Sequence, residues 1–216
     1  MSSRVQPLFL LLLLVTTATD VKIIVHRLET RYHSARTLQA TFLERYVENG
    51  RVVRTEAGIA YFRRPGKMRW EYRSPKEKLF ISDGQAVWFY LPAERQLRKT
   101  TLRKLDDLRS PLAFLLGKTK LENELRGLSK VVDQAPLGPG NILLRGIPQA
   151  MAGQANEVQV EITPTNQITR IVLLGADGAT TEFRFADWKE NPELSDSRFR
   201  FTPPPGVETV EGQLGP

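Results

Sequence analysis

The residue types that most often carry out chemistry are scarce in this sequence. The chain has two histidines, His26 and His33, and no cysteine. At a spacing of seven on a helix the two imidazoles lie near one face, roughly 20° apart, but two imidazoles alone make a poor metal site. The motifs H-E-x-x-H and G-x-S-x-G and the glycine-rich phosphate loop are absent from the sequence. The sequence therefore predicts no enzyme, no cofactor and no metal.

The sequence is rich instead in aromatic and apolar side chains within predicted strands. They are Tyr61, Phe62, Met68, Trp70, Tyr72, Phe80, Trp88, Phe89 and Tyr90. Successive side chains of a strand point to opposite faces of the sheet, so this set is divided between two faces. One interpretation is an ordinary packed core. The other is an apolar sheet face that helices cover as a lid.

Two predicted helical segments, the helix that begins at Val21 and the one over 112–116, could provide that cover. Asp20 can cap a helix of about fourteen residues, in which apolar side chains recur at helical spacing at Val21, Ile24, Val25, Leu28 and Tyr32. The pair Ser110-Pro111 predicts the start of a short apolar helix over 112–116, and Gly117 can end it. Residues 121–128 predict one or two further helical turns.

From Leu38 onward the apolar period changes to two, which is typical of strands. The pairs Asn49-Gly50 and Asp83-Gly84 predict hairpin turns. The predicted strands cover residues 38–42, 57–61, 67–72, 78–82, 86–90, 96–100, 141–145, 158–162, 168–174 and 180–185, and a last extended segment contains Phe199 and Phe201. We therefore predict a mainly β fold with helices, in which a curled antiparallel sheet of about 10–11 strands is covered by a short α-helical lid.

The N-terminus has the layout of a signal peptide. Arg4 precedes an apolar run over residues 8–15, and small residues follow up to Ala18. As a helix this run spans roughly 12 Å, less than the roughly 30 Å of a bilayer core. We predict a cleaved signal peptide at 1–18 and a single exported domain at 19–216. The net charge of +7 is basic, but export argues against nucleic acid as a partner.

Three segments of the chain resemble a known family. They are Arg63-Arg64-Pro65-Gly66-Lys67-Met68-Arg69-Trp70, Ser82-Asp83-Gly84-Gln85-Ala86-Val87-Trp88-Phe89-Tyr90-Leu91-Pro92 and Phe201-Thr202-Pro203-Pro204-Pro205-Gly206-Val207. Their order and separation resemble the outer-membrane lipoprotein carrier family, LolA, over about residues 20–207. The resemblance implies an unclosed antiparallel β-barrel with a helical lid. Its apolar interior would take up the acyl chains of lipoproteins in the periplasm.

The resemblance also implies site residues. Family members carry a functional arginine before a proline, which ties the barrel to the lid. Here that arginine is Arg64, which would otherwise be interpreted as a solvent-facing side chain at a strand end. The candidate residues of the acyl-chain cavity are Phe62, Met68, Trp70, Phe80, Trp88, Tyr90, Leu112, Phe114 and Leu115.

The partners implied by the resemblance are lipid-modified proteins, an inner-membrane lipoprotein-releasing ABC transporter, and an outer-membrane receptor or membrane that accepts the cargo. We expect a monomer. Because fold resemblance alone does not establish function, one alternative stays open. It is a periplasmic lipid-binding or envelope-stress sensing module of the same fold, whose ligand is a free lipid.

Overall fold

The computed structural model describes residues 10–101, 114–115, 117 and 119–211. In this part of the chain helix α1 spans Leu10–Ser34 and helix α2 spans Leu121–Glu124. Short 3-10 turns lie at Pro92–Glu94 and Asp196–Phe199. The strands are β1 Thr37–Glu48, β2 Arg51–Arg63, β3 Lys67–Ser74, β4 Lys78–Asp83, β5 Ala86–Leu91, β6 Gln96–Thr101, β7 Leu125–Lys130, β8 Ile142–Pro148, β9 Ala155–Ile162, β10 Ile168–Gly175, β11 Thr180–Glu190 and β12 Glu208–Glu211.

All twelve strands belong to one sheet, in the order β12-β6-β5-β4-β3-β2-β1-β11-β10-β9-β8-β7. Neighbours are antiparallel except for β12, which lies parallel to β6. The pairing of β1 with β11 joins the first half of the chain to the second. The sheet ends at β12 on one side and at β7 on the other, so it is curled but unclosed. This confirms the predicted fold class.

Cross-strand pairing places side chains in rows on the two faces of the sheet. One row runs through Ala40, Ala60, Trp70, Phe80 and Phe89 across strands β1 to β5. Helix α1 packs on this face, since its apolar residues belong to the same buried cluster as Trp70 and Phe80. We call it the lid face and the opposite one the outer face. The large side chains of the lid face form the main core.

The two predicted hairpin turns have the backbone that their residues favour. Asn49 and Gly50 both have positive φ, at 49° and 72°, as a tight turn between β1 and β2 requires. In the turn between β4 and β5 the Asp83 carboxylate accepts hydrogen bonds from the backbone N–H groups of Gln85 and Ala86, both at 2.8 Å. These local turns set the register of the strands that follow them.

Several predicted elements differ in the structure. Helix α1 begins at Leu10, so Asp20 lies inside the helix and does not cap it. The predicted helix over 121–128 is helical only as far as Glu124, because the next residues form β7 and pair with β8. Phe199 lies in a 3-10 turn and not in a strand. The count of twelve strands exceeds the 10–11 expected because the short edge strands β7 and β12 were not predicted.

The predicted apolar helix at 112–116 falls largely on residues outside the described part of the chain. Phe114, Leu115 and Gly117 are described and belong to a turn. The backbone N–H of Gly117 donates a hydrogen bond to the Phe114 carbonyl at 3.0 Å. Phe114 and Leu115 are buried against the lid face. This turn therefore contributes to the lid beside helix α1.

Gly58 of β2 lies between two aromatic residues of the lid face. It pairs with Phe42 on one side and with Tyr72 on the other. Because glycine has no side chain, the two rings meet above it with their centroids 5.0 Å apart. A Cβ at this position would lie 1.9 Å from the Glu71 carbonyl oxygen. The backbone of β3 therefore leaves no room for a side chain at residue 58.

We predict that Gly58→Ala lowers the free energy of unfolding by about 3 kcal/mol, because the strand backbones must separate to admit the methyl group. Urea denaturation followed by tryptophan fluorescence measures the change. Thr55→Ala, at an exposed position of the same strand, should change stability by less than about 0.5 kcal/mol. Equal stabilities for the two variants would contradict the prediction.

Candidate functional site

The lid face carries a group of aromatic rings centred on Trp70, which is fully buried. The Trp70 ring centroid lies 4.6 Å from that of Phe42 and 5.9 Å from that of Phe62. On the other side of β1, the rings of Phe183 and Phe185 lie 5.6 and 6.1 Å from it. These edge-on contacts join β1, β2, β3 and β11. We call these five residues the aromatic floor.

Six of the nine predicted cavity residues lie together on the lid face. Phe62, Met68, Trp70 and Phe80 have no measurable exposure, and Phe114 and Leu115 belong to the same buried cluster. Leu112 falls outside the described residues. Sequence reasoning did not name Phe42, Phe183 and Phe185 as cavity residues, although the alternating patterns of β1 and β11 that contain them were recognised. Their closeness to Trp70 depends on the β1–β11 pair, which no local pattern specifies.

The structure does not bring Trp88 and Tyr90 to the lid face. Both point to the outer face, where Phe201 lies 6.5 Å from the Trp88 ring and 5.5 Å from the Tyr90 ring. The physical reason is the hairpin register, which pairs Phe80 with Phe89. Phe89 therefore shares the face of Phe80, and its neighbours along β5 take the opposite face. Alternation from Phe80 through the hairpin could have revealed this.

The lid packs directly against the apolar residues of the lid face. Helix α1 contributes Val21, Val25, Leu28 and Tyr32, which recur at helical spacing and are at most 8% exposed. Leu121 and Leu125 join the same cluster from α2 and its C-terminal end. In the described residues the lid face is thus covered by the chain's own side chains. This is a closed form, in which a ligand reaches the aromatic floor only if the lid moves.

Arg64 holds this lid in place. It is the first residue after β2, and its backbone N–H donates to the Arg36 carbonyl at 2.9 Å. Its guanidinium donates to three lid carbonyls: to Tyr32 at the end of α1, to Phe114 at 3.0 Å and to Leu115 at 3.2 Å. It also lies over the Phe114 ring, 5.9 Å from the centroid. We call these contacts the latch.

The latch brings a cation into a partly buried setting. Burial lowers the pKa of Arg64 to about 10, so the guanidinium stays charged at neutral pH. Its bonds are charge-assisted, and the Tyr32 carbonyl lies in the last turn of α1, where the helix dipole favours a cation. Gly117, at φ 68°, lies against the arginine. A Cβ there would come within 2.7 Å of the Arg64 Cδ.

A second set of bonds ties the end of α1 to the sheet. The Tyr32 hydroxyl accepts a hydrogen bond from the Ile168 N–H at 3.0 Å, and Trp188 Nε1 donates to the Ile168 carbonyl at 2.7 Å. The Tyr32 ring contacts Trp188 and Phe114 edge-on, at 5.8 and 5.6 Å. Burial raises the pKa of the Tyr32 phenol above its usual value. The last turn of α1 is therefore held on both of its sides.

Two cavities flank the latch, and Arg64 lines both. One, of about 910 Å³, is lined by Arg36, Arg63, Arg198 and the segment 191–195. The other, of about 410 Å³, lies between α1 and the residues Phe114, Gly117 and Thr119, and the histidines His26 and His33 line it. No set of three or more metal-ligating side chains occurs in the part of the chain that the structure describes. Neither described helix combines the length and apolar character needed to cross a bilayer.

An unclosed, largely antiparallel sheet whose apolar face is covered by a lid that Arg64 and Tyr32 tie to it defines a class of lid-covered half-barrels. Comparison with known proteins agrees. The family described as outer membrane lipoprotein carrier protein LolA matches residues 33–202. The outer-membrane lipoprotein carrier protein of Nitrosospira multiformis is 32% identical over 206 residues, which cover 94% of this chain and 95% of that protein. Its counterpart in Nitrosomonas europaea is 30% identical over 189 residues, which cover 86% and 88%.

The chain therefore belongs to the LolA family of outer-membrane lipoprotein carrier proteins. Solved structures share its fold at low sequence identity. An uncharacterized conserved protein of Thermus thermophilus superposes with a TM-score of 0.57 at 16% identity, over 89% of this chain and 99% of that one. The lipoprotein LppX of Mycobacterium tuberculosis gives a TM-score of 0.50 at 12% identity, over 82% and 99%. These likenesses concern the fold alone.

We predict that Arg64→Lys loosens the lid without unfolding the sheet, because a lysine ammonium cannot span the three carbonyls that the planar guanidinium reaches. Hydrogen exchange of the backbone amides around Phe114 and Gly117 should become about tenfold faster. Arg63→Lys is the matched control, because Arg63 bonds to the Leu194 carbonyl and to Asp196. Unchanged protection of the 114–117 turn in Arg64→Lys would contradict the prediction.

Proposed function

We propose that this protein is a periplasmic carrier that takes up the acyl chains of lipoproteins and delivers the lipoproteins from the inner to the outer membrane. It binds and releases its cargo and catalyses no reaction. The observation that carries the proposal is the aromatic floor, covered by a lid whose backbone carbonyls accept hydrogen bonds from Arg64. Family membership over residues 33–202 supports the same function.

The physical need for such a carrier follows from the cargo. Burial of one methylene group is worth about 0.8 kcal/mol, so a sixteen-carbon chain costs about 12 kcal/mol when it is exposed to water. An apolar site must therefore accompany a lipoprotein across an aqueous space. The lid face supplies aromatic and aliphatic side chains from several strands for this purpose. The acyl chains replace the lid side chains as the cover of the aromatic floor.

The latch adjusts affinity so that cargo is also released. In the empty protein the lid competes with the ligand for the same apolar face. The apparent affinity is the intrinsic affinity of the open form multiplied by the fraction of molecules that are open. The guanidinium bonds to Tyr32, Phe114 and Leu115 favour the closed form. We infer that their recovery after unloading drives transfer to the next acceptor.

The finer steps belong to the same proposal. Residues 1–18 are a signal peptide, and cleavage after about Ala18 leaves the buried lid residues of α1, which begin at Val21, in the mature chain. An inner-membrane lipoprotein-releasing ABC transporter loads the carrier. An outer-membrane receptor or the membrane itself accepts the cargo from the monomeric carrier. The latch and the six buried candidates of the lid face act in binding.

A loading experiment separates this function from its rival. The purified protein is incubated with a detergent-solubilised lipoprotein and with the same protein made without its acyl chains. We expect a one-to-one complex with the acylated form alone, recovered by size-exclusion chromatography and identified by mass spectrometry. Retention of free phospholipid together with failure to bind the acylated protein would favour the lipid-binding or sensing module.

Arg64→Leu tests the role of the latch. We expect this variant to fold and to bind acylated cargo at least as tightly as the wild type, because the open form is no longer disfavoured. Transfer of the cargo to outer-membrane vesicles should slow by about tenfold or more, in line with the loss of charge-assisted hydrogen bonds. Arg63→Leu, next to it, should transfer normally. Normal delivery by a well-folded Arg64→Leu would count against this role.

A further inference from the structure

Trp70 has a polar atom that the closed protein leaves without a partner. Its side chain is fully buried, and its indole Nε1–H has no hydrogen-bond acceptor among the described residues. The other buried atoms in this condition belong to charged side chains that also form ion pairs, namely Arg31, Arg54, Glu161 and Arg170. Trp70 has no other polar atom in its side chain. Its hydrogen-bonding capacity is therefore wholly unused.

The surroundings of Trp70 make this unpartnered donor costly. Its ring contacts are the edge-on phenylalanines of the aromatic floor, which act only as weak acceptors. A buried donor that lacks an acceptor destabilises the protein, and low polarity around it increases the penalty. A phenylalanine would place a smaller, wholly apolar ring there and carry no such penalty. The indole N–H is therefore free to bind an acceptor that a ligand brings.

Three other described polar groups near the lid face have partners. The Tyr72 hydroxyl donates to Glu44 at 2.8 Å, and the Ser82 hydroxyl donates to the Gly66 carbonyl at 3.1 Å. The indole of Trp188 donates to Ile168. Within the described residues the Trp70 N–H thus has no acceptor, and its ring lies on the surface that acyl chains would cover. A ligand that suits this surface is apolar and carries one acceptor oxygen.

We propose that the indole N–H of Trp70 donates a hydrogen bond to the ester carbonyl oxygen at the head of a bound acyl chain. This inference rests on the proposed carrier function and adds the chemical group that the site recognises. An ester-linked chain is a run of methylene groups with one carbonyl, so it supplies the apolar cover and the missing acceptor together. The bond fixes how far the chain enters. An ether-linked chain of equal length leaves the indole unpartnered and binds more weakly.

Two synthetic probes test the proposal. One is a short peptide whose N-terminal cysteine carries a diacylglyceryl group with two palmitoyl esters, and the other is its di-O-hexadecyl ether analogue. We expect the wild-type protein to bind the ester peptide about tenfold more tightly, the ratio that one hydrogen bond in an apolar site provides. In Trp70→Phe the ester-to-ether ratio should fall to about one. Titration calorimetry measures both affinities.

Phe80→Leu is the matched control, because Phe80 lies opposite Trp70 on the same face and its side chain has no N–H. This variant should weaken both peptides by the same factor and keep the ratio. Similar ratios in the wild type and in Trp70→Phe would overturn the inference and leave the carrier function standing. Failure of the wild type to bind either peptide would contradict the proposed function itself.

A spectroscopic measurement on the unmodified protein does not depend on how the variants fold. The chain has three tryptophans, so indole N–H signals are few in a nitrogen-15 spectrum. We expect the Trp70 indole proton to move downfield when the ester peptide binds and to stay in place with the ether analogue. Trp88, on the outer face, serves as the internal reference. Equal shifts with both peptides would overturn the inference.

Discussion

The structure depends on one constraint, which is that the aromatic floor must always be covered. Trp70 and the four phenylalanines around it have large apolar surfaces, and water contact with them is unfavourable. In the closed form, helix α1 and the turn at Phe114 supply the cover. Any other cover must also be apolar, which is why acyl chains suit this protein. Lid and ligand therefore compete for one surface.

The sheet and the lid differ in the number of hydrogen bonds that hold them. The sheet consists of twelve hydrogen-bonded strands, whereas the lid is held by side-chain packing and a few polar bonds near Arg64 and Tyr32. Burial of the guanidinium opposes its charge, as the lowered pKa of Arg64 shows, and three carbonyls offset that cost. Bonds of this kind are strong enough to select a closed form and few enough to be broken together. The lid can therefore move while the sheet stays intact.

The outer face is covered differently. The segment that contains Asp196 and Phe199 lies across β3 and β4, and Lys67 and Arg63 pair with Asp196. Phe201 continues this cover over Trp88 and Tyr90. The sheet thus has a cover on each face. The outer cover comes from the C-terminal segment. The lid comes from helix α1 and from the turn at Phe114 in the middle of the chain. This division explains why a motif as aromatic as Trp88-Phe89-Tyr90 serves both faces.

The sequence by itself determined the elements whose cause is local. Alternation predicted ten of the strands, Asn49-Gly50 and Asp83-Gly84 predicted their hairpins, and the resemblance to the family singled out Arg64. The tertiary structure alone decided what depends on distant partners. It paired β1 with β11 and so brought Phe183 and Phe185 to Trp70. It also made β7 a strand where the local pattern favoured helix. The physical reason is that a turn or a period is encoded by neighbouring residues, whereas a face, an edge or an unpartnered indole is defined only by what packs against it.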